Sequence, residues 1–86
     1  MLMFKDSILT GHRILVTGGG SGLGREFSEA YAALGAEVHI CGRRGSVLET
    51  TAAEIVDKTG GQIFTHSVDI RDAGAVDEMI NAIWHN

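Results

Sequence analysis

Nine residues, Val16-Thr17-Gly18-Gly19-Gly20-Ser21-Gly22-Leu23-Gly24, constrain this chain more than any others. They follow a short β-branched run, Arg13-Ile14-Leu15-Val16, and they precede an amphipathic helical pattern. A strand, a glycine loop and a helix in that order build a seat for a phosphate. Glycine lets the backbone approach an anion closely and adopt φ values that other residues avoid. The first-turn N–H groups of the helix lack internal partners, and the helix dipole adds partial positive charge there.

The rest of the chain continues the alternation, and it reads β-α-β-α-β-α. The first strand is expected at about 13–17. A helix follows over about 22–34, with Leu23, Phe27, Ala30, Tyr31 and Leu34 on one apolar face and Gly35 as its stop. The second strand covers 36–41, with Val38 and Ile40 on one side and His39 on the other. The second helix begins near Ser46, where Ser46 and Glu49 have capping-box spacing. Leu48, Ala52, Ile55 and Val56 form its buried stripe, and Gly60-Gly61 ends it. A third strand spans 62–68. Asp72 is placed to cap a last helix whose Val76, Met79, Ile80 and Ile83 share a face. Such alternation predicts parallel strands joined by right-handed crossovers. In a doubly wound α/β sheet the three strands take the order 3-2-1, which leaves the first strand at an edge with no fourth strand beside it.

Other features narrow the class. A chain of 86 residues holds one small domain and buries only about 60–65% of its unfolded surface. Its formal charge of −4 argues against nucleic acid as the main partner. Cys41, the one cysteine, sits in an apolar strand pattern and reads as a packing residue in a reducing compartment. No stretch approaches the roughly 18 apolar residues of a membrane span, and the short apolar N-terminus has no cleavage site of signal type. A cytoplasmic location is the expectation. His12, His39, His66 and His85 fall on separate elements without paired ligand spacing, so no metal site is expected.

Three loop chemistries compete for the glycines. A P-loop requires Lys and Ser/Thr after its last glycine, where this chain has Arg25-Glu26. A methyltransferase loop requires an acid where Val16 stands. The dehydrogenase variant T-G-x-x-x-G-x-G is met by Thr17, Gly18, Gly22 and Gly24. Here the sequence resembles the short-chain dehydrogenase/reductase family over nearly its whole length. Leu9-Thr10-Gly11-His12-Arg13 is similar to the family's lead-in to its first strand. Asp69-Ile70-Arg71-Asp72 is similar to its D-[VIL]-x-D segment.

The resemblance implies the N-terminal half of a doubly wound Rossmann fold, with residues 1–86 forming a partial dinucleotide-binding domain that lacks strand 4 onward. It also implies roles. Thr17 would hold the glycine turn, and Gly18, Gly22, Leu23 and Gly24 would line the cofactor loop. Ser21 would donate to the ribose or an adenosine phosphate, or face water. Asp69 would accept from the adenine amino group, or cap its own loop, and the Ile70 backbone would touch the ring.

The preferred dinucleotide is expected to be NADP(H) in preference to NAD(H). An NAD site ends strand 2 with a carboxylate that holds the ribose hydroxyls and repels a 2′-phosphate. Gly42 occupies that place here. Arg43 and Arg44 follow at once, and guanidinium forks suit a phosphate. In the family a basic residue just past strand 2 accompanies NADP preference.

Members of the family use a Tyr, a Lys four residues later and an orienting Ser. Tyr31 is the one tyrosine, Gly35 stands four residues on, and Tyr31 lies on the apolar face of the first helix. No catalytic residue is therefore expected within this segment. The expected function is the NADP(H)-binding segment of an oxidoreductase that moves a hydride between nicotinamide and a carbonyl, hydroxyl or enoyl substrate. Reductases of fatty-acid type are the nearest analogy. The alternative is a non-catalytic nucleotide-binding or partner-assembling fragment. Either way, the first strand's edge is expected to need the missing C-terminal half or self-association.

Overall fold

The computed structural model describes residues 8–20 and 22–85. Six elements alternate along them: β1 (Arg13–Thr17), α1 (Gly22–Ala33), β2 (Glu37–Gly42), α2 (Gly45–Thr59), β3 (Gln62–Ser67) and α3 (Ala73–Trp84). The three strands are parallel, with Ile14 opposite Val38 and Val38 opposite Ile63.

The sheet corrects one expectation. The expected fold class, a doubly wound sheet with strand order 3-2-1, is cut back to a sequential three-stranded sheet, β1-β2-β3, with β2 central. Each helical connection returns the chain to the neighbouring position, so no strand is skipped. The reversal of winding that defines a doubly wound sheet is not reached among the described strands.

Period-two alternation along the strands divides the apolar residues between two layers. Val38 and Ile40 face α1 and α2, where Ala32, Ala36, Leu48, Ala52 and Ile55 complete the main core with Ile14, Val16 and Ile63 packed on it. Cys41 faces the other way, onto Met79 and Ile83 of α3, with Leu15, Val68 and Val76 around them. Burial of side chains such as Ile40 and Ile55 contributes about 1.5–3 kcal/mol each.

The sheet-facing side of α1 is not the one its large apolar residues suggest. Ser28 and Ala32 are its buried residues, while Leu23 is 67% exposed and Phe27 49% exposed. The contact stripe is Gly24, Ser28 and Ala32, small residues at i, i+4 and i+8. Small side chains let the helix sit close to the sheet. A Cβ built on Gly24 would overlap the Gly18 carbonyl. The Ser28 hydroxyl donates to the Gly24 carbonyl at 2.7 Å and is satisfied within the helix. Leu23, Phe27 and Tyr31 are thereby turned toward the free edge of β1. There they line a groove of about 450 Å3 with Ile14, Leu15 and Val16.

Helix ends follow local chemistry. Gly35 and Gly60 have φ of 96° and 70°, as glycines after helices often do. The Asp72 side chain accepts from the Ala75 N–H at 3.1 Å and caps α3 as expected. The Ser46/Glu49 capping box does not form. α2 starts at Gly45 with Arg44 as its cap residue and no side-chain cap. Ser46 is already inside the first turn, where its carbonyl accepts from the Thr50 hydroxyl. At the far end of α3, Arg13 Nη1 donates to the Ile83 carbonyl at 2.6 Å and its Nε pairs with Glu37 at 3.1 Å. One guanidinium thus ties α3 to β1 and β2.

Two glycine substitutions should separate contact from propensity. Gly24→Ala is expected to destabilise the chain by about 1–3 kcal/mol, because the added methyl has backbone in its place. Gly74→Ala in α3, where an added Cβ meets only Asp72 Oδ1 at 3.5 Å, is expected to stabilise by about 0.4–1 kcal/mol. Urea unfolding of both variants measures this, and equal effects would contradict the packing account.

Candidate functional site: a crevice at the carboxyl ends of the strands

Beyond their last residues β1 and β3 each make one more bond to β2. The Gly18 N–H donates to the Cys41 carbonyl at 3.0 Å, and the Val68 N–H donates to the Gly42 carbonyl at 2.8 Å. The end of β2 is therefore gripped from both sides, and the loops diverge only past it. Between them lies a cavity of about 390 Å3 lined by Gly18, Cys41, Gly42, Arg43, Val68, Asp69, Ile70 and Arg71. A second cavity of about 290 Å3 shares Gly18, Cys41, Gly42 and Arg43 and continues to Gly20, Arg44, Val47 and Leu48. Together they form one crevice at the carboxyl ends of parallel strands, the usual ligand position in open α/β sheets.

The glycine loop forms one wall. Gly18 turns the chain out of β1 with φ 68°. Gly19 is buried, and a Cβ there would come within 2.5 Å of the Ile40 side chain. The loop is braced from below by Thr51 of α2, whose hydroxyl donates to the Gly20 carbonyl at 3.0 Å. Motif matching singles out neither Gly19 nor Thr51. Gly22 opens α1 with φ 60°, so the first-turn N–H groups start beside this loop.

The expected site residues are placed unevenly. Gly18, Arg43, Arg44, Asp69 and Ile70 all line the crevice. Thr17, Leu23 and Gly24 lie on the other side of the loop and line the β1-edge groove. Ser21 lies outside the described residues. Arg43 and Arg44 are exposed, and among the described residues neither guanidinium has an ion-pair partner. The Asp69 carboxylate is occupied. Its Oδ1 accepts from the Arg71 backbone N–H at 2.9 Å and from Arg71 Nε at 3.1 Å, and its Oδ2 accepts from Arg71 Nη2 at 2.9 Å. These bonds hold its carboxyl below the usual carboxylate range, with help from the charge of Arg43. Sequence spacing does not reveal this pairing.

Away from the crevice, the α3 side of the sheet carries a polar chain. His39 Nε2 lies 2.7 Å from Glu37 Oε2, and His39 Nδ1 lies 2.8 Å from His66 Nε2. One tautomer order satisfies every contact: His66 donates to His39, and His39 donates to the Glu37 carboxylate. Phe64 stacks on His39 with centroids 5.0 Å apart. The histidines sit on adjacent strands as the alternation suggests, but neither lines the crevice cavities. Burial holds the Cys41 thiol above its ordinary value. Tyr31 stacks on Phe27 and packs against the main core. Among the described residues no group of three or more His, Cys, Asp or Glu side chains could hold a metal ion, and no helix is long and apolar enough to cross a membrane.

Comparison with known proteins agrees with this geometry. The profile of the short chain dehydrogenase family matches residues 12–86. A Caenorhabditis elegans protein named probable 2,4-dienoyl-CoA reductase 3 is 42% identical over 81 residues, covering 94% of this chain and 26% of its own length. Among solved structures, citronellol catabolism dehydrogenase from Pseudomonas aeruginosa PAO1 superposes with a TM-score of 0.89 at 43% identity, over 96% of this chain and 34% of that one. A metagenomic short-chain oxidoreductase in complex with NADP gives 0.86 at 28% identity, over 92% and 35%. The chain spans about a quarter of the length of the curated relatives it matches.

The histidine chain makes stability depend on pH. The hydrogen bond from His39, and then the Arg13 charge, hold the Glu37 carboxyl below 4.5. Burial, and then the neighbouring His39, hold His66 below 6.5. For both groups the unfolded chain binds the proton more readily, so stability is full above the ordinary value and falls as pH drops through the folded one. The melting temperature is expected to fall between about pH 7.5 and about pH 5.5 through His66, and again below the ordinary carboxylate range through Glu37. His66→Gln should flatten the first fall. A melting temperature that rises on acidification would contradict the assignment.

Proposed function

Because the chain belongs to the short chain dehydrogenase family, we propose that it seats NADP(H) and forms the cofactor half of an oxidoreductase. The observation that carries this reading is the end of β2. Gly42 stands where a carboxylate would repel a 2′-phosphate, and two exposed arginines, without ion-pair partners among the described residues, follow it at the mouth of the crevice. Arg43 is the main 2′-phosphate ligand and Arg44 assists it. The pyrophosphate takes the first-turn N–H groups of α1 beside Gly18, Gly22, Leu23 and Gly24. Thr17 holds the turn, and Ser21 serves the ribose or an adenosine phosphate. The adenine lies in the cavity between Arg43 and Ile70, with one Asp69 oxygen accepting from its amino group. The complex of a related oxidoreductase with NADP supports the choice of dinucleotide.

Hydride transfer would need a proton donor, and Tyr31 in its apolar setting is not placed to be one. The donor and the substrate contacts therefore belong to other parts of a full-length family domain. The relatives named as acting on dienoyl-CoA and on citronellol catabolism make a carbonyl, hydroxyl or enoyl compound the proposed substrate class. The cytoplasm is the proposed compartment, on the strength of the lone buried thiol Cys41.

The β1 edge favours an assembling role beside the binding one. It has no neighbouring strand in the described sheet, and Leu23, Phe27 and Tyr31 form an apolar wall along it. We assign this edge to a further strand, supplied by the rest of a family domain or, for the 86-residue chain by itself, by a second copy. Sedimentation of that chain should show association that rises with concentration and weakens in Phe27→Asp. A monodisperse monomer would contradict it.

The cofactor reading has a direct mutational test. Arg43→Ala should weaken NADPH by about ten- to a hundredfold through loss of charge-assisted hydrogen bonds, and NADH far less. Gly42→Asp is sterically allowed, since its Cβ would rest 3.6 Å from Leu48 Cδ2, and it should shift preference toward NADH. Titration calorimetry measures both. Equal loss for the two cofactors in Arg43→Ala would overturn the phosphate assignment.

A further inference from the structure

Asp69 shares its cavity with two cations, Arg43 and Arg71. Arg71 holds it through three N–H groups on two oxygens. Arg43 lies near enough for its charge to lower the Asp69 carboxyl, yet no ion pair joins Arg43 and Asp69 among the described residues. The two arginines line the same cavity as the carboxylate. Arg71 wins the competition because it is local. Two residues from Asp69 in the chain, it adds a backbone donor that Arg43 cannot supply from the β2–α2 turn.

This choice of partner has two consequences for the crevice. The negative charge of Asp69 is offset where it stands, beside a cavity in which it would otherwise oppose an anion. Arg43 also keeps its own donors. The acceptor count adds a third consequence. A carboxylate offers about four lone-pair sites, and Oδ1 already serves two donors while Oδ2 serves one. Oδ2 therefore retains a place for a neutral amino group and offers nothing to a phosphate.

We propose that Arg71 is the positioning residue that sets selectivity for a 2′-phosphorylated adenosine in this crevice, by occupying Asp69 so that Arg43 stays free for the phosphate. The inference rests on the reading of Arg43 as the 2′-phosphate ligand. Arg71 itself need not touch the phosphate. Its contribution is modest because the pair is open to water, with the Arg71 side chain 75% exposed and that of Asp69 36%.

The test is a ratio, read by amide NMR titration of the full chain with adenosine 2′,5′-bisphosphate and with adenosine 5′-monophosphate. The unsubstituted chain should prefer the bisphosphate. Arg71→Ala should cut that preference by about three- to fivefold, the scale of an exposed charge pair. Asp69→Asn in the Arg71→Ala background should restore it, because the stray carboxylate is gone. Asp69→Asn alone should change the affinity for both ligands alike, through their shared adenine, and so keep the ratio. The same spectra show that each variant is folded. If Arg43→Ala abolishes the preference and Arg71→Ala leaves it unchanged, or weakens both ligands equally, the role of Arg71 is overturned and the Arg43 reading stands. If Arg43→Ala leaves the preference unchanged, the phosphate reading fails and this inference fails with it.

Discussion

The contact on which the rest depends is the one between Gly24 of α1 and the Gly18 carbonyl at the end of β1. Nothing larger than hydrogen fits there. Because the helix can approach so closely, its small-residue side, Gly24, Ser28 and Ala32, becomes the side that meets the sheet. The N-terminal turn of α1 is then held beside the loop that leaves β1. A methyl group at this point would lift the helix end, and the anion seat would move with it. The same approach turns Leu23, Phe27 and Tyr31 outward along β1. One steric fact therefore creates both the crevice and the apolar edge groove.

Chemistry in the crevice follows from where β2 stops. Its last carbonyls, on Cys41 and Gly42, are taken by Gly18 and Val68. That grip fixes three loops at a common level: the glycine loop, the arginine turn and the Asp69 turn. Charge is then distributed by pairing. Asp69 and Arg71 offset each other, Asp72 is spent on the α3 cap, and the guanidiniums of Arg43 and Arg44 face the opening. The crevice presents cationic donors to an anion although the whole chain carries a formal charge of −4. The Glu37, His39 and His66 chain on the α3 side of the sheet belongs to stability, since its members satisfy one another's polar groups and line neither crevice cavity.

Much of this was legible in the residues alone, for identifiable reasons. Strand and helix alternation rests on local periodicity, and the six elements fall within a residue or two of their expected bounds. Gly35, Gly60 and Asp72 are end signals whose chemistry is complete within a few residues. The miss on α1 has the opposite character. Leu23, Phe27 and Tyr31 do share a helical face, but periodicity cannot say that a stripe of smaller residues will win the sheet because it permits closer approach. The Ser46/Glu49 box failed because α2 begins one residue early, on Gly45. A doubly wound sheet is defined by a reversal of winding, and the described strands, in sequential order β1-β2-β3, contain none. The Asp69–Arg71 and His39–His66 pairs are contacts between side chains, and motif spacing carries no information about them.

The most direct test of the central claim is amide NMR mapping of the 86-residue chain during titration with NADPH. The account predicts that the largest shifts fall on Gly18, Gly20, the first turn of α1, Arg43, Arg44 and Ile70, with the 31P signal of the 2′-phosphate moving in the same titration. Shifts confined to the β1-edge groove or to the His39–His66 side of the sheet, with a silent glycine loop, would contradict it.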